Sequence, residues 1–195
     1  MFNTEILKER RLILDGGTGT LLAAAGLKAG ERPETWNLTH PEEVAKLHRA
    51  YFDAGSDIVC TNTFGANALK HDSETLKKII EAAVKIADTE RKEAEQKYGA
   101  EKYIALDMGS LGKLLKPFGD LDFEEAVKIF SESIKTGAEA GVDLIYFETF
   151  TDIYELKAAI IAAKESCQLP IFATCAYEKN GRLMMGSDVR SVVAI

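Results

Sequence analysis

The sequence contains little cysteine and no long apolar run, and both shortages exclude classes of protein. Its three cysteines, Cys60, Cys167 and Cys175, are an odd number without close spacing, which argues against a disulfide framework or a zinc-finger pattern. The start of the chain lacks the apolar stretch of a signal peptide, and no segment is apolar over the length needed to cross a bilayer. The sequence therefore predicts reduced thiols, a cytoplasmic location and no membrane partner.

Basic residues are also in short supply. The chain has 24 lysines and arginines against 31 aspartates and glutamates, which gives a formal net charge of −7 at pH 7. This balance argues against a nucleic-acid-binding surface and against an anchor on anionic lipid. Linkers rich in glycine, serine or proline are absent as well. Residues 1–195 are therefore predicted to belong to a single domain without an internal boundary.

The sequence does contain a regular alternation of strand-like and helix-like patterns. Short apolar runs predict five β-strands, at residues 12–15, 57–63, 103–108, 144–149 and 170–176. Between these runs, apolar residues recur at helical spacing; one such stripe is formed by Leu76, Ile79, Ile80, Ala83, Val84 and Ala87. This alternation is typical of an α/β fold built on a parallel sheet.

Capping signals mark several of the predicted helix ends. Residues 39–42, Thr-His-Pro-Glu, have the pattern of a capping box with proline in the first turn. Asp152 offers an acidic N-cap with a glutamate three residues later, and Ser187 or Asp188 is predicted to cap a further helix. Gly55 and Gly141 follow two other helices, where glycine can adopt the left-handed conformation.

An internal repeat links two of the predicted strands. Residues 54–64 align without gaps on residues 140–150, at an offset of 86 residues, with one further strand between them. A helix cap, a buried strand and a polar exit therefore recur two βα units apart. A barrel whose layers come from alternate strands produces this pattern, although a doubly wound open sheet does so too. We expect a (β/α)₈ TIM barrel, of which this chain contains about five of the eight βα units.

Candidate binding residues, most of them polar, lie where the predicted strands end. They are Asp15, Gly16 and Gly17, then Asn62, Thr63 and Phe64, then Asp107, and finally Glu148 and Thr149. Carboxylates can accept hydrogen bonds from an ammonium group, and backbone N–H groups freed by glycine can hold a carboxylate, so the set suits a small zwitterion. Plainer interpretations stay open: Asp15 could cap the next helix, Asn62 could bind loop backbone, and Asp107 could hold a loop.

Four segments in this order carry a resemblance to a known family. They are residues 15–20 (DGGTGT), 33–38 (PETWNL), 61–67 (TNTFGAN) and 148–149 (ET). With them the chain resembles the homocysteine S-methyltransferase family, and residues 112–119 favour the branch that forms the homocysteine-binding domain of cobalamin-dependent methionine synthase. The resemblance implies a (β/α)₈ barrel that binds homocysteine and transfers a methyl group to its sulfur, which gives methionine.

The resemblance also implies roles for individual residues. Asp15 and Glu148 would hold the homocysteine amino group. The Gly16–Gly17 turn, the exit formed by Asn62, Thr63 and Phe64, and Thr149 would complete the pocket for the amino acid.

The cofactors that the resemblance implies are not matched by this chain. In the family, three cysteine thiolates from later strands hold a zinc ion that binds the homocysteine sulfur, and a zinc-bound thiol is deprotonated at neutral pH. Cys60, Cys167 and Cys175 do not correspond to those cysteines, so we assign no metal ligand and no catalytic residue within the chain. Cobalamin and folate would belong to other domains. We expect a methyl-donor domain or protein as partner, and self-association through open barrel edges.

Two other functions stay open at the level of sequence. One is a barrel enzyme of different chemistry, in which Asp15, Asp107 and Glu148 hold a divalent cation. The other is a fragment that binds an amino acid without catalysing a reaction.

Overall fold

Four parallel strands form one sheet and follow one another across it in chain order. The structure is a computed structural model that describes residues 2–195. Ile58 lies opposite Tyr103, Ala105 opposite Leu144, and Ile145 opposite Ile171. The strands are β1 (Ile58–Cys60), β2 (Tyr103–Met108), β3 (Leu144–Phe150) and β4 (Ile171–Cys175).

A long helix connects each strand to the next, as parallel pairing requires. The helices are α1 (Ile6–Glu9), α2 (Thr18–Ala24), α3 (Trp36–Thr39), α4 (Pro41–Asp53), α5 (Ser73–Tyr98), α6 (Phe123–Ala140), α7 (Ile153–Ser166) and α8 (Val189–Val193), with a 3₁₀ turn at Pro33–Thr35. Within residues 2–195, no helix combines the length and the apolar character that a membrane span needs.

The prediction of a first strand at residues 12–15 is wrong, because this segment does not form an extended strand. Only one bridge forms there, between Leu14 and Ile58, although the Asp15 N–H still donates to the Ile58 carbonyl oxygen at 3.0 Å. The second strand also ends earlier than predicted, at Cys60, because the Thr63 N–H turns back to the Thr61 carbonyl. The last three strands lie within one residue of their predicted ends.

Strands β1 to β3 bury their two faces in different clusters, whereas β4 is only partly buried. Val59, Leu106 and Phe147 point outward and pack against the helices, in the larger core cluster. Cys60 and Tyr146 alternate with them and belong to an inner cluster. The predicted stripe of α5 is confirmed, because each of its six members is at most 2% exposed: Leu76, Ile79, Ile80, Ala83, Val84 and Ala87. Burying one large aliphatic side chain of this kind contributes roughly 1.5–3 kcal/mol.

The capping predictions have mixed outcomes. Asp152 caps α7 by accepting from the Tyr154 N–H, and Asp188 caps α8 in the same way through Ser191. The capping box at residues 39–42 is wrong, because the Thr39 hydroxyl donates to the Thr35 carbonyl and α4 begins without a side-chain cap. Gly55 and Gly141 have φ values of +105° and +101°, as the left-handed position after a helix requires.

Glu155 has a different role from the one that the capping pattern predicts. Its carboxylate accepts from the Ser110 hydroxyl at 2.8 Å and from the Leu111 N–H at 2.7 Å, instead of folding back onto Asp152. These bonds hold the loop after β2 against α7. The side chain is buried, and burial raises the pKa of Glu155.

Candidate functional site

The carboxyl ends of the strands surround one cavity of about 280 Å³. Three carboxylates from three different segments reach it, and among residues 2–195 no lysine, arginine or histidine lines it. Its lining consists of Asp15, Gly16, Gly17, Thr18, Gly19, Pro33, Cys60, Asn62, Phe64, Asp107, Glu148 and Thr149. The cavity therefore includes seven of the eight residues that the sequence predicts for the site.

Three larger hollows lie elsewhere in residues 2–195. One, of about 290 Å³, lies beside the site and combines Glu31 and Glu34 with Arg32 and Lys70, so its lining holds both signs of charge. The other two, of about 380 and 520 Å³, offer less chemistry, because they are lined mainly by apolar side chains and contain a single carboxylate, Asp152. That carboxylate already accepts a hydrogen bond as a helix cap. A small polar ligand therefore finds its best complement in the cavity at the strand ends.

Thr63 is the one predicted site residue that the structure does not bring into the cavity. Its side chain is only 2% exposed, and its hydroxyl donates to the Asp107 carbonyl oxygen at 2.8 Å. The Thr61 hydroxyl lies 2.6 Å from it and completes a buried pair. Thr63 thus joins the end of β1 to the end of β2 and leaves the lining to its neighbours.

Asn62 lines the cavity and at the same time ties a loop to it. Its side-chain amide donates to the Pro33 carbonyl at 2.8 Å, and the Asn37 amide donates in return to the Asn62 carbonyl at 2.8 Å. The segment 33–38 is thereby fixed against the end of β1. Asn62 therefore binds loop backbone, as one interpretation of the sequence predicted, and it also lines the cavity.

Asp15 reaches across the site instead of capping α2, whose N-terminus has no side-chain cap. Its Oδ2 accepts from the Cys60 N–H at 2.8 Å. Burial raises the pKa of Asp15 to about 6, the Cys60 N–H opposes this shift, and the negative charge of Glu148 adds to it. A carboxylate held at such a pKa gains from the approach of a cation.

Glu148 reaches the cavity near a β-bulge, two residues after the inward-facing Tyr146. The pairing of β3 with β4 shifts register between Phe147 and Phe150, so that β3 has one extra residue there. Thr149 has φ of +62° and is the only non-glycine residue in 2–195 with a positive φ. The extra residue returns Phe150 to the outer core. Burial raises the pKa of Glu148.

Asp107, which the sequence analysis placed at a strand end without a role in the amino-acid pocket, is a member of the site. It is 6% exposed, it lines the cavity, and its Oδ1 is buried without a hydrogen-bond partner. Burial raises the pKa of Asp107 well above its usual value, and the charges of Glu148 and Asp15 raise it further. The alternation of side chains along β2 was the available signal, because it places Asp107 on the same face as Tyr103 and Ala105.

Glycines allow two close approaches at the rim. A Cβ on Gly109 would lie 2.4 Å from the Phe64 ring, so only glycine admits this ring beside the end of β2. A Cβ on Gly16 would lie 3.1 Å from the Tyr51 hydroxyl, which donates to the Gly17 carbonyl. Phe64 is 47% exposed and supplies an apolar wall to an otherwise polar cavity.

The three cysteines do not come together. Cys60 faces the inner side of β1, Cys175 ends β4, and the Cys167 thiol lies 3.6 Å from the Ala163 carbonyl at the end of α7. Among residues 2–195, no three histidine, cysteine, aspartate or glutamate side chains are grouped so that they could hold a metal ion. The residues present therefore do not fit the zinc site of the family, and the divalent-cation alternative has no support from the donor arrangement.

Comparisons with known proteins agree on one family. The sequence model described as Homocysteine S-methyltransferase matches residues 12–195. Methionine synthase of Mycobacterium tuberculosis is 29% identical over 199 residues, which cover 95% of this chain, and that of Mycobacterium leprae is 28% identical over 97% of it. The chain spans 17% of the length of either relative.

A solved structure with the same fold comes from Escherichia coli. The oxidized form of its homocysteine methyltransferase MmuM superposes with a TM-score of 0.86 at 20% identity, over 97% of this chain and 70% of that one. The metallated form gives a TM-score of 0.84 at 19% identity, over 98% and 72% of the two chains. The likeness confirms the predicted fold class: this chain contains part of an α/β barrel.

Proposed function

The chain belongs to the homocysteine S-methyltransferase family, and from this membership we propose that its cavity binds L-homocysteine for methyl transfer to sulfur. The single observation that carries the proposal is that three carboxylates line one cavity to which no lysine, arginine or histidine of residues 2–195 contributes. A cationic ammonium group complements such a cavity because its charge relieves the repulsion among the carboxylates. The overall reaction that we propose is that of a methionine synthase.

In this proposal, Asp15 and Glu148 accept hydrogen bonds from the ammonium group of homocysteine. The backbone N–H groups of the Gly16–Gly17 turn bind its carboxylate, since glycine exposes backbone donors to a ligand. Phe64 packs along the aliphatic part of the side chain, and Asn62 and Thr149 complete the wall. The described residues thus bind and orient the substrate and exclude water from one side of it.

The sulfur chemistry requires a thiolate, because the thiol itself is a weak nucleophile. Since the cysteines of residues 2–195 form no zinc site, we assign the chain no step in thiol activation. We propose that residues 1–195 are the substrate-binding part of a homocysteine-binding barrel domain. The methyl group would come from a donor domain or protein, with cobalamin or folate bound outside this chain.

A second candidate function is homocysteine binding without methyl transfer by this chain alone. The scattered cysteines favour it, because binding needs only the cavity. The two candidates differ in one measurement: formation of methionine when the 195-residue chain is combined with a zinc-binding part of the barrel and a methyl donor, which only the first allows. Neither candidate predicts methionine formation by the 195-residue chain alone.

Calorimetric titration of the purified chain with L-homocysteine, under reducing conditions, tests the proposed ligand. We expect Glu148→Gln and Asp15→Asn each to weaken binding by about 2 kcal/mol, or roughly thirtyfold, because each removes a charge-assisted hydrogen bond. Glu155→Gln is the matched control: it removes another buried carboxylate of the barrel mouth, but one outside the cavity. Affinity that is unchanged in both site variants would reject the assignment of the pocket.

Two parts of the proposal concern the chain as a whole. Its free cysteines are compatible with a cytoplasmic location, which we retain as a proposal. We also propose self-association through the open sheet edges, one at β4 and one at the bridge of Leu14. Sedimentation velocity over a range of protein concentrations tests this, and a single monomeric species throughout would contradict it.

A further inference from the structure

Asp107 is the group in the cavity that the proposed contacts leave unexplained. Asp15 uses one oxygen to bind the Cys60 N–H, whereas Asp107 is more deeply buried and its Oδ1 has no hydrogen-bond partner among residues 2–195. The backbone of Met108 only partly offsets the rise in the pKa of Asp107. An unsatisfied buried acceptor costs roughly 1–3 kcal/mol, and native structures contain few of them. The pattern indicates a position where the partner is supplied by a ligand.

The placement of Asp107 gives the direction from which that partner comes. Side chains alternate along β2, so Asp107 points inward between the ends of β1 and β3, as Cys60 and Glu148 do. The groups that act on it electrostatically are Asp15, Cys60, Glu148 and Tyr146. None of these four carries a positive charge, and no lysine, arginine or histidine within residues 2–195 lines the cavity around Asp107.

A primary ammonium group has three N–H donors, and three carboxyl groups from separate segments converge on this cavity. We propose that Asp107 is the third acceptor for the ammonium group of the ligand, and that the cavity thereby selects a primary amine over N-methylated amines. This inference rests on the proposed function, since it refines how the amino group of homocysteine is recognised. Asp15 and Glu148 accept the other two N–H groups.

The selectivity follows from satisfaction of hydrogen bonds. A methyl group on nitrogen keeps the positive charge but removes one donor, so one carboxylate is left without a partner in a buried place. Sites built to bind a polar group reject analogues that lack it, because the protein group then stays unpaired. A cavity that recognised charge alone would bind the primary and the methylated amines about equally.

Calorimetric titrations of the 195-residue chain test this, with L-homocysteine, N-methyl-L-homocysteine and N,N-dimethyl-L-homocysteine as probes. For the wild-type chain we expect about tenfold weaker binding with the first methyl group and a further loss with the second. In Asp107→Ala we expect binding of L-homocysteine to be about tenfold weaker than in the wild type. The first methyl group should then weaken the binding of the ligand to Asp107→Ala by less than about threefold, since the third acceptor is gone.

Three comparisons make the test decisive. Asp107→Asn keeps the shape and one acceptor oxygen, so its affinity for L-homocysteine should lie between those of the wild type and Asp107→Ala. Glu155→Gln should keep the full discrimination against N-methylation. The wild-type ligand series alone already tests the selectivity if Asp107→Ala fails to fold.

The outcomes separate the inference from the proposed function. Tight binding of L-homocysteine with equal affinity for its N-methylated forms would overturn the role of Asp107 while leaving homocysteine as the ligand. That role is equally overturned if Asp107→Ala binds as the wild type does, or if its effect simply multiplies with that of N-methylation. Absence of homocysteine binding to the wild-type chain would refute the proposed function, and the inference with it.

Discussion

The two copies of the internal repeat, residues 54–64 and 140–150, are nearly identical where their strands begin. Asp57, just before β1, accepts from the Ile13 N–H at 2.9 Å and from Arg10 at 3.1 Å. Asp143, just before β3, accepts from the Ile104 N–H at 2.9 Å and from an arginine at 3.3 Å. Each aspartate therefore fastens its strand to the preceding segment of the sheet, and this end of the repeat serves stability.

The same two copies differ where their strands end. Asn62 and Glu148 occupy equivalent positions, but the amide binds a loop while the carboxylate stands half-buried in the cavity. Phe64 lies at the rim, whereas Phe150 is fully buried in the outer core, because only β3 has the bulge. Barrels carry function at the carboxyl ends of their strands and stability at the other ends. The repeat separates these two tasks within one sequence.

The largest effect on stability is expected at the shared ends. Asp57→Ala should lower the free energy of unfolding by about 2–3 kcal/mol, because it leaves the Ile13 N–H and Arg10 without their acceptor. Asp143→Ala should cost less, about 1–2 kcal/mol. Burial raises the pKa of Asp143 despite the Ile104 N–H and Arg91, whereas at Asp57 the hydrogen bond and the cations outweigh burial and lower the pKa. Urea denaturation measures both changes.

The pH dependence gives an independent check on Asp57. Because its pKa is lowered on folding, its contribution is complete above the ordinary value of 3.8 and is lost as the pH falls through the folded-state pKa. The wild type and Asp57→Ala should therefore converge in acid. Asp120→Ala, at an exposed aspartate, is the control and should stay within about 0.5 kcal/mol of the wild type. A difference for Asp57→Ala that persists in acid would contradict the interpretation.

At the divergent ends, we expect substitutions to stabilise the fold while they damage binding. Asp15→Asn should raise the free energy of unfolding by about 1–2 kcal/mol at pH 7, a value reduced for partial solvent screening. Since the pKa of Asp15 rises from 3.8 to about 6 on folding, the wild type loses stability as the pH rises through this interval. The advantage of the variant should grow from about pH 4 to 6 and then stay constant. Equal stability at pH 7 would argue against a strained site.

The smallest effect is expected at the bulge. Thr149→Gly should raise the free energy of unfolding by about 0.5–1 kcal/mol, because a branched side chain at φ of +62° is strained and glycine is not. Thermal denaturation measures the change. The control is Thr136→Gly within α6, where the same replacement should cost roughly 0.3–0.5 kcal/mol. A loss of stability at both positions would show that the backbone strain at Thr149 is negligible.

Much of the fold could be predicted because it depends on local periodicity. Alternation with a period of two fixed which side chains of β2 and β3 face inward, and helical spacing fixed the buried stripe of α5. That residues 12–15 form only one bridge, at Leu14, could not be predicted, because the length of a strand depends on how many residues of the neighbouring strand pair with it. The departure of Thr63 from the cavity has the same origin: its hydroxyl bonds to the carbonyl of Asp107, which is 44 residues away.

By itself, the amino-acid sequence determined the order of strands and helices, the repeat and its glycine caps, and the set of carboxylates at the strand ends. These features follow from patterns that a chain carries within ten or twenty residues. Only the tertiary structure decided which polar atoms find partners: the Oδ2 of Asp15 accepts from the Cys60 N–H, while the Oδ1 of Asp107 has no hydrogen-bond partner within residues 2–195. Hydrogen bonds between distant segments depend on packing to within fractions of an ångström, and no local pattern encodes that.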